Sequence, residues 1–254
     1  RVAIMYAGKI VEIGTAEEVY YDPRHPYTWG LMQSLPALNK GAKELTVPDA
    51  FDNTLVSAVR DKGFFYANVE KVILPPSVRR LENQAFFASS IKEIVLPDEV
   101  YFIGEKAFED CVKLTKITLS AKLKEIGSAA FRNCNELTEI EFPEGFETIG
   151  ARSIASCEKL KKITFPATLA SIGNKAFKNA AITEINLPEG VASIGDEAFL
   201  GTKLSTIAFP ASLTTIGAAA FKSTPLSTLT LPNAIETIKE NAFEQTQISS
   251  ITLP

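Results

Sequence analysis

The sequence predicts a solenoid of 22–23-residue repeats with parallel strands stacked along one side, and three observations predict it. First, a motif Leu-x-x-Ile-x-Leu-Pro recurs. Its units start at Val69, Ile91, Leu114, Leu137, Leu160, Ile182, Leu204 and Leu226, in steps of 22, 23, 23, 23, 22, 22 and 22 residues. Second, Pro follows the strand motif in seven of these eight units, Ser120 being the exception. Third, an Ala-Phe pair or its equivalent recurs later in each unit, placing Phe86, Phe108, Phe131, Phe177, Phe199, Phe221 and Phe243 at one repeat position.

Each observation has a physical reading. The Ile and Leu of the motif lie two residues apart, so in a strand they point to one face. One short strand cannot bury that face, whereas stacked copies share a continuous core. Proline has no N–H and ends the ladder after the strand. The chain then turns, runs back along the other side and turns again at Ala-Phe. The phenylalanines stack as a column, broken in the fourth unit by Ile154, where a gap or local repacking is expected. Gly104, Gly127, Gly150, Gly173, Gly195 and Gly217 mark the second turn, but Glu82 and Lys239 hold that place in two other units. A left-handed backbone is therefore not required there, and tight packing is the expected reason for glycine.

The rest of the chain is read in order. In residues 1–41, Val2 to Tyr6 and Lys9 to Ile13 form a hairpin around Ala7-Gly8. Thr15 with Glu18 is a capping box for a short helix. Asp22-Pro23 breaks that helix, and Pro26 opens a second one through about Ser34. Ala42 to Pro48 fits the strand template, and residues 42–68 form an irregular first repeat and N-terminal cap. Within it, Asp52-Asn53 caps a helix through Asp61, which Gly63 closes. Residues 69–254 hold eight full units and a final strand from Ile248, with the sequence stopping at Pro254 in mid-unit. An uncovered strand there is an open edge, so self-association through this C-terminal repeat is expected.

Composition narrows the function classes. The 254 residues are 46% hydrophobic and 22% charged, with a net charge of −4 and no basic block. Nucleic acid and anionic membrane are poor partners for such a surface. No apolar run reaches the ~18–20 residues of a membrane span. No His-Glu-x-x-His, Cys-x-x-Cys, Gly-x-Ser-x-Gly, phosphate loop or dinucleotide fingerprint occurs, and His25 is the sole histidine. A non-enzymatic protein without a cofactor or metal is expected.

Two stretches resemble known families. Ile-Val-Leu-Pro (94–97), Ile-Gly-Glu-Lys-Ala-Phe-Glu-Asp-Cys (103–111) and their copies resemble the BspA-like, or family-5, leucine-rich repeats of bacterial surface antigens. The resemblance covers some three quarters of the chain. It implies a right-handed leucine-rich-repeat solenoid with the strands on the concave side, in secreted or wall-attached adhesion proteins that share no enzymatic activity. Residues 1–14, followed by Asp-Pro-Arg-His-Pro-Tyr-Thr-Trp-Gly-Leu (22–31), resemble the tail of the ATP-binding subunit of oligopeptide/dipeptide importers, with the His-Pro-Tyr-Thr motif at His25 to Thr28. That family's phosphate loop, signature motif, magnesium-binding strand and switch histidine belong upstream of this tail, so the resemblance implies ancestry and not ATPase chemistry. It also leaves open a cytoplasmic accessory domain on such a subunit.

Three groups of residues are candidates for function. The residue before each central Ile faces away from the core, giving Lys71, Glu93, Lys116, Glu139, Lys162 and Glu184, then Thr206, Thr228 and Ser250. This alternating column is either a binding face for a protein or peptide ligand or a cross-strand ladder that fixes register. Phe64, Phe65, Tyr66, Tyr101 and Phe102, with Phe87, form a candidate aromatic patch or part of the cap. Cys111, Cys134 and Cys157, spaced 23 apart, read as small buried residues with free thiols: Ser89, Ala180, Thr202, Thr224 and Thr246 hold the same place elsewhere.

Overall fold

The computed structural model describes residues 2–6, 9–14, 43–51 and 54–252. The hairpin forms as expected, Val2–Tyr6 pairing antiparallel with Lys9–Gly14. The helices expected after Thr15 and Pro26, and His25 with them, lie outside the described residues.

From Glu44 onward the chain is a parallel-strand solenoid with two sheets. The front, concave sheet consists of the three-residue strands of the Leu-x-x-Ile-x-Leu motif. Glu44–Thr46, Lys71–Ile73, Glu93–Val95 and Lys116–Thr118 pair in parallel, as do Glu139–Glu141 with Lys162–Thr164 and Thr228–Thr230 with Ser250–Thr252. Register is kept unit for unit, with Lys71 opposite Glu93 and Glu93 opposite Lys116. Between the last two pairs the sheet thins to one bridge, Asn186 to Ala208. The rear sheet is a ladder of two-residue strands: Ala58–Val59, Arg80–Leu81, Phe102–Ile103 and Glu125–Ile126, then Thr148–Ile149, Ser171–Ile172, Ser193–Ile194, Thr215–Ile216 and Thr237–Ile238. The two sheets share one interruption, between the units starting at Leu114 and Leu137.

Two turns join the sheets in each unit. The second residue after the front strand opens the first, its carbonyl accepting from the N–H three residues on, as in Val100 to Pro97 at 3.0 Å and Leu169 to Pro166 at 3.2 Å. The fourth residue of the turn (Val78, Val100, Leu123, Phe146, Leu169, Val191, Leu213) is buried and anchors it. Ser120, replacing Pro, is buried and donates its hydroxyl to Asp98 O at 2.7 Å. A buried hydroxyl needs such an acceptor.

The second turn spans six residues, such as 105–110, and is tied to its neighbours by a directional stack. Lys62, Phe64 and Tyr66 donate their N–H groups to the carbonyls of Asn83, Ala85 and Phe87 in the next unit, at 3.1, 2.6 and 2.8 Å. Lys175, Phe177 and Asn179 do the same to Asp196, Ala198 and Leu200, each at 2.8 Å. Seventeen non-glycine residues in these turns have φ between +51° and +62°, at the second and sixth turn positions. The preceding glycines are tight, as expected. A Cβ on Gly195 would lie 2.6 Å from Asn174 N and Oδ1, and one on Gly127 would lie 2.4 Å from Glu105 N.

The phenylalanines fill the turn side of the core. Successive rings are stacked 4.8–5.5 Å apart from Phe64 through Phe86 and Phe108 to Phe131, and from Phe177 through Phe199 and Phe221 to Phe243. Around Ile154, which is buried, the aromatic contacts detour through Phe146, Phe142 and Phe165 to Phe177, at 5.0, 6.1 and 6.0 Å. The local repacking therefore comes from the front-strand position, where Phe replaces Leu.

One local expectation fails. No helix follows Asp52-Asn53. Ala50–Phe51 pairs antiparallel with Thr54–Leu55 and Ala58–Val59 joins the rear sheet, so the expected span is strand rather than helix; Asp52 and Asn53 themselves lie outside the described residues. Thr54, Val56 and Val59 are β-branched, and the rear sheet offers Ala58–Val59 a partner in Arg80–Leu81.

Candidate functional site: the concave sheet

Alternation in the front strands Glu93–Val95, Lys116–Thr118, Glu139–Glu141 and Thr228–Thr230 buries the central residue and exposes the two flanking it. The sheet thus presents two columns. The first contains the expected ladder, Lys71, Glu93, Lys116, Glu139 and Lys162, with Glu184, Thr206 and Thr228 exposed in line beyond it. Glu44 precedes it, one unit earlier than the sequence reading began, pairing with Lys71 at 3.2 Å. Lys71 also meets Glu93 at 3.8 Å, and Lys162 meets Glu139 at 4.0 Å. These side chains are 41–73% exposed, so the pairs contribute under about 1 kcal/mol each. Lys116 and Glu184 have no ion pair among the described residues.

The second column was missed. It holds Ile73, Val95, Thr118 and Glu141, two residues after each ladder position. Val95 is 68% exposed and Ile73 39%. Strict alternation from the ladder residue was the signal that would have found them. A groove of about 780 Å³ lies over these strands, lined by Lys71, Ile73, Glu93, Val95, Lys116 and Thr118 and walled by Pro76, Pro97 and Glu99 of the adjoining turns. It combines exposed apolar side chains with charges of both signs, while the strand backbone beneath is engaged in its own ladder.

The aromatic residues do not form one patch. Phe64 is buried and heads the phenylalanine column, stacked on Phe86. Phe65, Tyr66 and Phe87 cluster on the second turn at 4.5–5.8 Å, with Tyr66 63% exposed. Tyr101 and Phe102 sit at the rear sheet beneath Arg80, whose guanidinium lies 4.2 Å from the Phe102 ring centre and 5.6 Å from that of Tyr101. Glu82 and Tyr101 accept hydrogen bonds from Arg80 and hold it charged.

Cys111, Cys134 and Cys157 are buried free thiols. Each donates to the carbonyl of the previous unit's column residue: to Phe86 O at 3.0 Å, Phe108 O at 3.2 Å and Phe131 O at 3.2 Å. Thr202 and Thr224 donate instead to the Phe of their own unit, at 2.9 and 2.8 Å. Burial pushes the Cys111 and Cys157 thiols up to about 12 and raises Cys134 well above its ordinary value. These are packing residues and poor nucleophiles. Among the described residues no group of His, Cys, Asp and Glu is placed to hold a metal, and no helix is long and apolar enough to cross a membrane.

Glu109 is an unusual buried acid. It is 5% exposed; Oε1 meets Arg132 at 3.1 Å and Oε2 has no partner among the described residues. Burial raises its carboxyl above the usual range, against the opposing pull of Arg132.

Comparison with known proteins separates the two parts of the chain. The model of the oligopeptide/dipeptide transporter C-terminal region matches residues 11–55. The oligopeptide transport ATP-binding protein OppD of Bacillus subtilis is 66% identical over 47 residues, 18% of this chain and 13% of that protein. AmiE of Streptococcus pneumoniae, also an oligopeptide transport ATP-binding protein, is 74% identical over 38 residues, 15% of this chain and 11% of that protein. The chain thus spans little more than a tenth of these curated relatives. Among solved structures, a leucine-rich repeat protein from Bacteroides ovatus superposes with a TM-score of 0.63 at 22% identity, covering 83% of this chain and 69% of that one. A leucine rich cell surface protein from Faecalibacterium prausnitzii gives 0.60 at 20% identity, covering 84% and 88%. Both share the fold. The model of the BspA type leucine rich repeat region matches in six copies over residues 57–183 and 154–254, and with that the chain belongs to the BspA type leucine-rich-repeat family.

Proposed function

We infer that this chain is a protein-interaction module that engages a protein or peptide through its concave sheet, as an adhesion or recognition element at the bacterial cell surface. It needs no cofactor and carries out no catalysis. The observation that carries this reading is the groove over the first front strands, where Ile73 and Val95 stand exposed among Lys71, Glu93 and Lys116. Exposed apolar side chains ringed by polar ones mark interaction sites. The cell-surface placement rests on family membership and on the Faecalibacterium neighbour, itself described as a cell surface protein. The test is a photo-crosslinking residue at Val95, compared with one at Ser171 on the rear sheet, in cells producing the chain. Discrete adducts are expected at Val95 and none at Ser171; the reverse pattern would refute the concave-face reading.

A second reading is supported by the transporter match at residues 11–55: a docking or sensing domain joined to an importer's ATP-binding subunit in the cytoplasm. Neither reading gives this chain nucleotide chemistry. Calorimetry with ATP is expected to detect no binding tighter than ~1 mM, which corresponds to about −4 kcal/mol.

A further inference from the structure

We propose that the concave face recognises an amphipathic α-helix carrying acidic and basic side chains alternately, one per helical turn. This rests on the concave-face reading above and names the chemistry of the partner. The first column presents charges in strict alternation from Glu44 to Glu184, one per unit. Paired strands lie roughly 4.8 Å apart, so the sign changes at that interval along the solenoid. An α-helix laid along the column presents one side chain per turn, every ~5.4 Å. It drifts by roughly 0.6 Å per unit, so a helix centred between Lys116 and Glu139 is offset by about 1.5 Å at Lys71 and at Glu184, under a third of the ~4.8 Å that would invert the pattern. An extended peptide repeats its side chains every ~6.7 Å and drifts by roughly 1.9 Å per unit. Its pattern is inverted within about three units.

Two further observations favour the helix. The front strands hydrogen-bond to one another, so over Glu93–Val95 an extended partner finds no free ladder to join. A helix brings its own backbone bonds satisfied. Ile73 and Val95 lie beside the charge column, two residues on, and offer apolar contact to a stripe flanking the charged one. Lys116, without an ion pair among the described residues, is the position where a partner carboxylate meets a charge not already engaged.

The probe is a synthetic 21-residue alanine-rich peptide, with Glu and Lys alternating at i, i+4, i+7, i+11, i+14 and i+18 and two leucines on the adjacent stripe. One control has the same composition with its three Glu and three Lys in separate blocks. Another carries a central proline. Fluorescence anisotropy at low salt against the full chain is expected to show the alternating helix binding at least tenfold tighter than either control. Lys116→Glu is expected to weaken it at least tenfold, and Lys203→Glu, an exposed change off this face, to leave it unchanged; both variants are checked by circular dichroism. Equal binding of the block or proline peptide, or indifference to Lys116→Glu, overturns the helix proposal. If adducts still form at Val95 in that case, the concave-face reading stands with a partner of other chemistry. If no peptide binds and Val95 gives no adduct, both fall.

Discussion

Phe199→Ala is expected to remove a large part of the stability of the repeat array. The ring is fully buried and stacked on both faces, with Phe177 and Phe221 each 5.2 Å away. Truncating a buried Phe costs about 3–5 kcal/mol. Two stacked neighbours, each contributing ~0.5–1.5 kcal/mol beyond area burial, place this site toward the upper end of that range. With a urea m-value of about 2 kcal/mol/M, a loss of about 4 kcal/mol moves the midpoint by roughly 2 M. Lys162→Ala is the matched control. Its ion pair with Glu139 spans 4.0 Å and the side chain is 73% exposed, so the cost is under about 1 kcal/mol and the shift under about 0.5 M. Phe243→Ala should fall between, because that ring is partly buried and stacks on Phe221 alone. Urea denaturation followed by circular dichroism measures all three. Equal shifts for Phe199→Ala and Lys162→Ala would refute the assignment of the phenylalanine column as the main source of stability.

Three further outcomes are expected. Gly195→Ala, whose Cβ would lie 2.6 Å from the Asn174 backbone, should cost about 1–3 kcal/mol, and more than Gly145→Ala, where φ is +85° but the surroundings are open; the reverse order in urea would mean that conformation rather than space governs. The native chain should resist alkylation at pH 8 while the denatured, unreduced chain yields three thiols, since burial holds the cysteines protonated; a count of one would reveal a disulfide. Glu109, its carboxyl raised by burial, binds its proton more tightly folded than unfolded, so its contribution is full below the unfolded pKa and is lost as pH rises through the folded value. Glu109→Gln should therefore gain stability relative to the parent as pH rises above the ordinary carboxylate range, and a flat or falling difference would contradict this.

The repeat spacing made the front strands, the phenylalanine column and the crowding at the glycines legible, because each follows from periodic burial and simple steric reach. The charge ladder was legible for the same reason, although its start at Glu44 and its apolar companions Ile73 and Val95 required following the alternation one column further. The rear ladder was harder to see. Two-residue strands such as Ser171–Ile172 carry too short a pattern to distinguish from a turn. The left-handed turn residues were invisible, since Lys175, Glu197 and Ala219 hold φ of +60°, +54° and +51° with no glycine to announce them. Their conformation is imposed by the hydrogen bonds to the next unit. The aromatic residues misled because neighbours in sequence, Phe64 and Phe65, point to opposite sides of the same turn, one into the core and one toward Phe87.

The one-way hydrogen bonding of the six-residue turns has a consequence for how such a gene can change. Each turn between the first and the last donates N–H groups to its successor and accepts them from its predecessor, as Phe177 donates to Ala198 and Phe199 to Ala220. A unit duplicated or deleted whole, in the original orientation, leaves each remaining junction with matching donors and acceptors. Unequal recombination between neighbouring repeats can thus lengthen or shorten the array in steps of one turn without redesigning either boundary. The interlocking Phe142, Phe146 and Phe165 around Ile154 are the exception: recombination inside that stretch would separate large rings from the smaller residue they accommodate.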